Sequence, residues 1–312
     1  MIRRLLLILL LVEALAVLAL AGAAVRWWLP HGWPRPCAVL AGLALGVGAV
    51  LMVRLLISAN NFRMSRAARS ATPAELAASP TLALRLFPHE FASTMLTSSW
   101  YMLRPIGMQL APQARGLPVL LIHGYGCNSG YWRPLSAHLH AAGISHYGID
   151  LEPPGADIDA FAPQVEAAVQ ALCAATGSTQ LIIVAHSMGG LVARAWLRQY
   201  GSARVARVIT LGTPHRGTVL ADLGLGSNAL QMRRDSAWLQ ALAAHDADLQ
   251  QSLFCSIYSV HDNIIAPQDS SALPGARNHV FGAIGHVALG RHPLIVRCTL
   301  EEIACTRQGD FV

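Results

Sequence analysis

The chain has 312 residues, 54% of them hydrophobic and 13% charged, with a mean hydropathy of +0.42. This composition excludes a disordered or fibrous protein, and it is too apolar for an ordinary soluble enzyme taken as a whole. All 23 basic residues are arginine, which excludes Schiff-base lysine chemistry, a Ser–Lys dyad and a P-loop.

Charge is distributed unevenly. Residues 1–116 hold 11 arginines against Glu13, Glu75 and Glu90, a net of +8, whereas residues 117–312 hold 12 arginines against 14 acids. A basic stretch beside apolar segments reads as membrane-proximal, and no nucleic-acid partner is expected. The first element is Leu5–Val25, 21 residues interrupted only by Glu13, long enough to cross a hydrocarbon core of about 30 Å. A cleaved signal peptide is the competing reading; the length of the run, the lack of a clear cleavage motif and the second apolar run argue against it. That second run, Ala38–Val53, continues to Ile57 past Arg54, which is expected to snorkel to the interface. Gly42 and Gly46 would let the two helices approach closely. Three tryptophans and three prolines between the runs, from Trp27 to Pro36, suit a hairpin turn in the headgroup layer. Residues 1–59 are thus expected to form a two-helix transmembrane anchor with the bilayer as its partner. Arginine counts at the two ends place both termini in the cytoplasm of a bacterial inner membrane.

Residues 60–116 read as a connector of short elements broken by prolines, lying on the membrane surface or serving as a plain linker. From Leu117 apolar runs of strand length alternate with longer amphipathic segments. Strands are expected at Pro118–His123, Ser145–Leu151, Gln180–Ala185, Val205–Leu211, Leu253–Val260 and Asn278–Gly282. Helices are expected at Ser129–Ala142, Ile158–Ala175, Met188–Tyr200 and Pro293–Ile303. The fold class is therefore α/β, a mostly parallel sheet covered on both faces, over residues 117–312. An insertion at about 212–251 breaks the alternation and exceeds the usual connection length.

The strongest chemical signal is Leu181-Ile-Ile-Val-Ala-His-Ser-Met-Gly-Gly190, a strand running through Ser187 into a helix. A sharp strand-to-helix turn needs small residues two before and two after the serine, and these are Ala185 and Gly189. With Leu121-Ile-His-Gly-Tyr-Gly126, Leu211-Gly-Thr-Pro-His-Arg-Gly-Thr218, Tyr258-Ser-Val-His-Asp-Asn-Ile-Ile265 and Gly285-His286, the chain resembles the α/β-hydrolase superfamily, and within it bacterial triacylglycerol lipases and esterases. The resemblance covers about residues 117–305 in the order Ser, Asp, His and implies an α/β-hydrolase fold. It does not cover the anchor or the connector.

Each residue then has an expected role. Ser187 is the nucleophile, His286 the base that takes its proton, and Asp262 the acid that orients the imidazole. The backbone N–H groups of Met188 and Tyr125 are expected to form the oxyanion hole, Tyr125 on the resemblance alone. Asp269 is the rival acid. His186 is assigned to packing, His123 to fixing the oxyanion loop, and His215 and Arg216 to holding a loop. In the insertion, Leu230, Trp238, Leu239 and Leu242 are expected to roof the serine with apolar surface, as a packed cap or as a lid hinged at Gly224 and Gly226. No metal or cofactor is expected, and the six scattered cysteines show no zinc spacing. Cys298 and Cys305 would pair only in an oxidising compartment.

These readings point to a membrane-anchored serine hydrolase of carboxylic esters, with lipid acyl esters favoured. The same triad would serve a thioesterase or an acyltransferase, and a non-catalytic hydrolase-fold membrane protein is the rival class.

Overall fold

Alternate residues of each central strand feed two cores, and this doubling gives the sheet its two helical layers. In the computed structural model the described residues are 1–77, 80–246 and 253–306. The end of the expected insertion (247–251), two connector residues (78–79) and the last six residues of the expected catalytic domain lie outside them. The strands are β1 (Met108–Gln109), β2 (Val119–Ile122), β3 (His146–Ile149), β4 (Leu181–His186), β5 (Val205–Leu211), β6 (Phe254–Ser259) and β7 (Arg277–Phe281). They form one sheet in the order β1-β3-β2-β4-β5-β6-β7, parallel except for β1, which pairs antiparallel with β3.

On one face Leu120, Ile122 and Ile183 meet Val165, Val169 and Leu172 of α5 (Ala162–Thr176) and Leu191 and Ala195 of α6 (Met188–Tyr200). On the other, Val119, Leu121, Ile182 and Val184 meet Leu135 and Leu139 of α4 (Arg133–Ala141) and Ile295 and Ile303 of α9 (Pro293–Cys305). Strand residues buried on both sides are why these runs read as continuously apolar. Each such side chain contributes about 1.5–3 kcal/mol on burial. The expected strands and helices all appear, with shifts of a few residues at their ends.

The N-terminal third departs from expectation in several places. Helices α1 (Ile2–Trp28) and α2 (Arg35–Ala67) are each long and apolar enough to cross a membrane by length and composition. A Cβ on Gly42 would stand 2.8 Å from the Ala21 carbonyl oxygen, and one on Gly46 2.6 Å from that of Val17, so the glycines permit the close helix contact. Arg54 finds its partners within the protein. Its Nε and Nη2 donate to Glu13 Oε1 and Oε2 at 2.8 and 2.6 Å, and its Nη1 donates to Ser98 and Ser99 at 3.2 and 3.1 Å. The carboxylate and the two hydroxyls accept from the guanidinium where it stands.

Nor does α2 end at residue 59. It runs on to Ala67 and docks on the sheet domain, where Ser65 Oγ donates to the Asp262 carbonyl at 2.7 Å and accepts from Gln268 Nε2 at 2.8 Å. The connector is likewise part of the body: it supplies β1 and helix α3 (Pro80–Leu96), whose Glu90 is buried.

The insertion also differs from expectation. Leu239 and Leu242 of α8 (Ala237–Asp246) lie in the core with the α5 and α6 residues, and Trp238 packs on that core while its Nε1 donates to Asp159 Oδ2 at 2.9 Å. These three pack into the core beside α6 and form no exposed apolar roof, because an amphipathic stripe records that a helix face is buried and not which surface buries it. The exposed part of the insertion is the turn Val219–Leu223 and the short helix α7 (Ser227–Gln231), which carries Leu230. Gly226 is no free hinge: at φ +95° a Cβ there would stand 2.5 Å from the Gly155 carbonyl oxygen, and Ser227 N–H donates to that oxygen at 2.9 Å. Cys298 and Cys305 are unpaired and lie on one helix. Seven residues of α-helix separate them by about 10 Å, beyond the reach of a disulfide.

Candidate active site

The carboxyl ends of β2, β4, β5, β6 and β7 gather the expected residues at one edge of the sheet. At the end of β4 the chain turns into α6 through Ser187, whose φ of +55° and ψ of −127° are those of a strained elbow. Ser187 N–H donates to the Leu211 carbonyl at 2.9 Å, and its own carbonyl accepts from Gly190 N–H at 3.1 Å. The turn is possible because a Cβ on Gly189 would stand 2.5 Å from the Ile122 carbonyl oxygen and one on Gly190 2.1 Å from Thr213 Oγ1. Met188 opens α6, with its backbone N–H in the first turn.

The loop after β2 crosses the serine so closely that a Cβ on Gly124 would lie 2.8 Å from Ser187 Cβ. His123 fixes this loop, as expected: its Nε2 accepts Leu151 N–H at 3.0 Å and its Nδ1 lies 2.9 Å from the Gly124 carbonyl. Burial holds its pKa below the usual value, so the ring is neutral. Tyr125 ties the loop to the insertion, its Oη donating to the Leu225 carbonyl at 2.8 Å and accepting Leu225 N–H at 2.9 Å.

His286 and Asp262 meet in the loops after β7 and β6. His286 Nδ1 lies 2.7 Å from Asp262 Oδ2, and both side chains are buried. Asp262 Oδ1 accepts the N–H groups of Ile264 and Ile265 at 2.8 and 2.7 Å, so the carboxylate is held at both oxygens. With Nδ1–H donating to that carboxylate, the tautomer leaves Nε2 as the basic nitrogen. Burial pulls the His286 pKa down, but the charge and hydrogen bond of Asp262 and the charge of Glu90 outweigh it, and the pKa is raised. The ring stands 4.5 Å, centroid to centroid, from that of His186, the neighbour of Ser187.

Rival residues are engaged elsewhere. Asp269 is half-exposed and pairs with Arg216 at 3.1 Å. Asp150 accepts Ser129 N–H at 2.7 Å. His186 stacks on Tyr131 at 4.2 Å, and burial followed by the His286 charge keeps it neutral. His215 is buried beside Arg194, and its Nε2 lies 3.3 Å from Thr210 Oγ1. Of the four insertion residues expected at the site, only Leu230 belongs to the exposed part.

Sequence reasoning missed Asn263, whose Oδ1 accepts His286 N–H at 2.9 Å, and Tyr131, Glu90 and Ser65. Asn263 was within reach of inference as the neighbour of Asp262. Glu90, the one acid between Glu75 and Asp150, gave a faint signal as a charge in an apolar stretch.

Donor atoms of Cys255, His279 and Glu302 lie within 4.8 Å of one another. Glu302 is already engaged by Arg277 at 3.1 Å, His279 at 2.8 Å and Arg207 at 3.7 Å, and burial pushes the Cys255 thiol up. Two guanidinium groups at the carboxylate oppose a cation there.

Residues 118–254 match the family described as the alpha/beta hydrolase fold, a segment that contains Ser187 and stops before Asp262 and His286. The chain is 34% identical over 113 residues to a triacylglycerol lipase of Pseudarthrobacter phenanthrenivorans, covering 34% of this chain and 35% of that protein. It is 34% identical over 113 residues to one of Burkholderia plantarii, covering 34% and 31%. The chain thus spans about a third of the length of these curated relatives. Among solved structures, a mature lipase of Bacillus licheniformis superposes with a TM-score of 0.56 at 17% identity, covering 64% of this chain and 99% of that one.

Proposed function

From the α/β-hydrolase fold that this chain carries, we propose a membrane-anchored hydrolase of carboxylic esters that works through Ser187, His286 and Asp262. The observation that carries the reading is the buried His286–Asp262 pair, 2.7 Å apart, at the same sheet edge as the strained turn of Ser187. In the reaction Ser187 Oγ attacks the ester carbonyl while its proton passes to His286 Nε2. The carbonyl electron pair moves to oxygen, where the N–H groups of Met188 and Tyr125 receive it. Removing one such donor typically costs about 3–4 kcal/mol of transition-state stabilisation. The imidazolium, stabilised by Asp262, then protonates the departing alcohol and leaves an acyl-serine. Water, deprotonated by the same imidazole, releases the acid and restores Ser187.

Lipid acyl esters are the favoured substrate class. Leu223, Leu225 and Leu230 stand 60%, 81% and 53% exposed on the insertion, next to the segment that Tyr125 binds, which suits a hydrocarbon surface. Both curated relatives described above are triacylglycerol lipases. The test is an acyl-ester series from acetyl to palmitoyl with the full-length protein in detergent. Turnover is expected to rise from acetate to medium or long chains; an enzyme that cleaves only acetyl esters contradicts the lipid assignment.

The same reading sets α1 and α2 across a bacterial inner membrane with both chain termini in the cytoplasm. Arg3, Arg4, Arg54, Arg63, Arg66 and Arg69 at one end outnumber Arg26 and Arg35 at the other. A phosphatase reporter fused to the C-terminus is expected to be silent in the periplasmic assay, and an active fusion refutes this orientation.

A further inference from the structure

Glu90 is 1% exposed, and neither of its carboxylate oxygens is spare. Oε1 accepts Val287 N–H at 2.8 Å and Oε2 accepts Ala288 N–H at 3.0 Å, the two amides that follow His286. On the other side of His286, a Cβ on Gly285 would stand 2.4 Å from the Glu90 carboxyl carbon and from Oε2, so the loop lies directly against the carboxylate. The backbone is therefore gripped on both sides of His286, while Asp262 holds the ring and Asn263 the residue's own N–H.

The two N–H groups need acceptors, but a neutral side-chain oxygen would supply them without the cost of burying a carboxylate. The groups around Glu90 are titratable themselves. His286 and Asp262 lie in the catalytic loops, and the buried phenol of Tyr131 faces it from the turn after β2. Across a cavity of about 180 Å³ stands Arg54 of α2, already paired with Glu13. From the loop after His286, Arg291 donates to Ser93 of α3 at 3.4 Å. Burial pushes the Glu90 carboxyl up to about 7, against the two amides and His286, which favour its ionised form.

We propose that Glu90 is a positioning residue of the hydrolase: it fixes the loop that carries His286 and supplies a second negative charge to the imidazolium formed when Ser187 gives up its proton. This rests on the Ser187–His286–Asp262 reading. Glu90 lies outside the segment that matches the hydrolase family, so it comes from the part of the chain that also bears the apolar helices.

The test compares full-length wild type, Glu90→Gln and Glu90→Asp in detergent micelles. Glu90→Gln keeps the side-chain length, removes the charge and leaves one acceptor oxygen for the two amides. It is expected to lower kcat by about tenfold to a hundredfold through displacement of the base, with KM unchanged. Because ionised Glu90 favours protonated His286, its removal is expected to move the acid limb of kcat/KM to lower pH. Glu90→Asp keeps the charge but is one methylene shorter, so kcat falls while the limb stays in place. An NMR titration of the His286 ring reads the same shift without reference to turnover, and a lower pKa in Glu90→Gln is the expected result. A folded Glu90→Gln with an unmoved limb and an unmoved His286 titration overturns the proposal. Should Glu90→Gln not fold, Glu90→Asp with wild-type kcat overturns it equally. If Ser187 proves not to be the nucleophile, the catalytic reading fails by itself and the ring titration still decides whether Glu90 acts on His286.

Discussion

His286→Ala is expected to lower turnover by roughly a millionfold, because removal of the base disables the nucleophile as fully as removal of the nucleophile itself. Asp262→Asn is expected to cost roughly ten-thousandfold with the fold intact, since an amide at that position no longer imposes the tautomer that leaves Nε2 basic. Asp269→Asn is the control. Its carboxylate pairs with Arg216 at the surface, and turnover should stay near wild type. Steady-state kinetics of the three variants on one ester checks the set. A severe Asp269→Asn beside a mild Asp262→Asn contradicts the pairing of His286 with Asp262.

Arg54→Ala is expected to destabilise the protein by about 1–3 kcal/mol, because it leaves the part-buried Glu13 carboxylate without its partner. Glu13 lies in the apolar run of α1, and its carboxylate receives both Nε and Nη2 of Arg54. The loss should also loosen α3, because Arg54 Nη1 donates to Ser98 and Ser99 just beyond the end of that helix. The double variant Glu13→Gln/Arg54→Gln removes both charges and is expected to recover most of the stability. Thermal unfolding in one detergent reads all three proteins. Equal unfolding temperatures for Arg54→Ala and wild type contradict the account of the pair.

What the sequence revealed follows from how local each signal is. Strand β5 coincides with its apolar run Val205–Leu211, and α6 with Met188–Tyr200, because both are bounded by turn residues next to them in the chain. Ser187 was legible through Ala185 and Gly189, the small residues that its turn demands, and His286 through the glycine before it. Contacts across long separations left no such trace. Ser65 meets Asp262 across 197 positions and Glu90 meets Val287 across the same number, and no periodicity in either segment records a partner so distant. Arg54 was read from its apolar neighbours alone, whereas its partner Glu13 is 41 residues away. Trp238, Leu239 and Leu242 mark a buried helix face correctly, but an amphipathic stripe is the same whether it packs on a neighbouring helix or covers a substrate. Two-residue β1 carries too few side chains for any alternation to be read.

These long-range contacts bear on what the apolar helices do. Ser65 at the end of α2 holds the Asp262 carbonyl, and Glu90 of α3 holds the loop of His286. The N-terminal region thus supports the His286–Asp262 pair, and truncation at residue 116 would remove both supports.

Fluorophosphonate labelling of the full-length protein, read by peptide mass spectrometry, tests the central claim most directly. The account predicts one adduct, on Ser187, absent from Ser187→Ala together with ester turnover. An adduct on another serine, or turnover retained in Ser187→Ala, would contradict it.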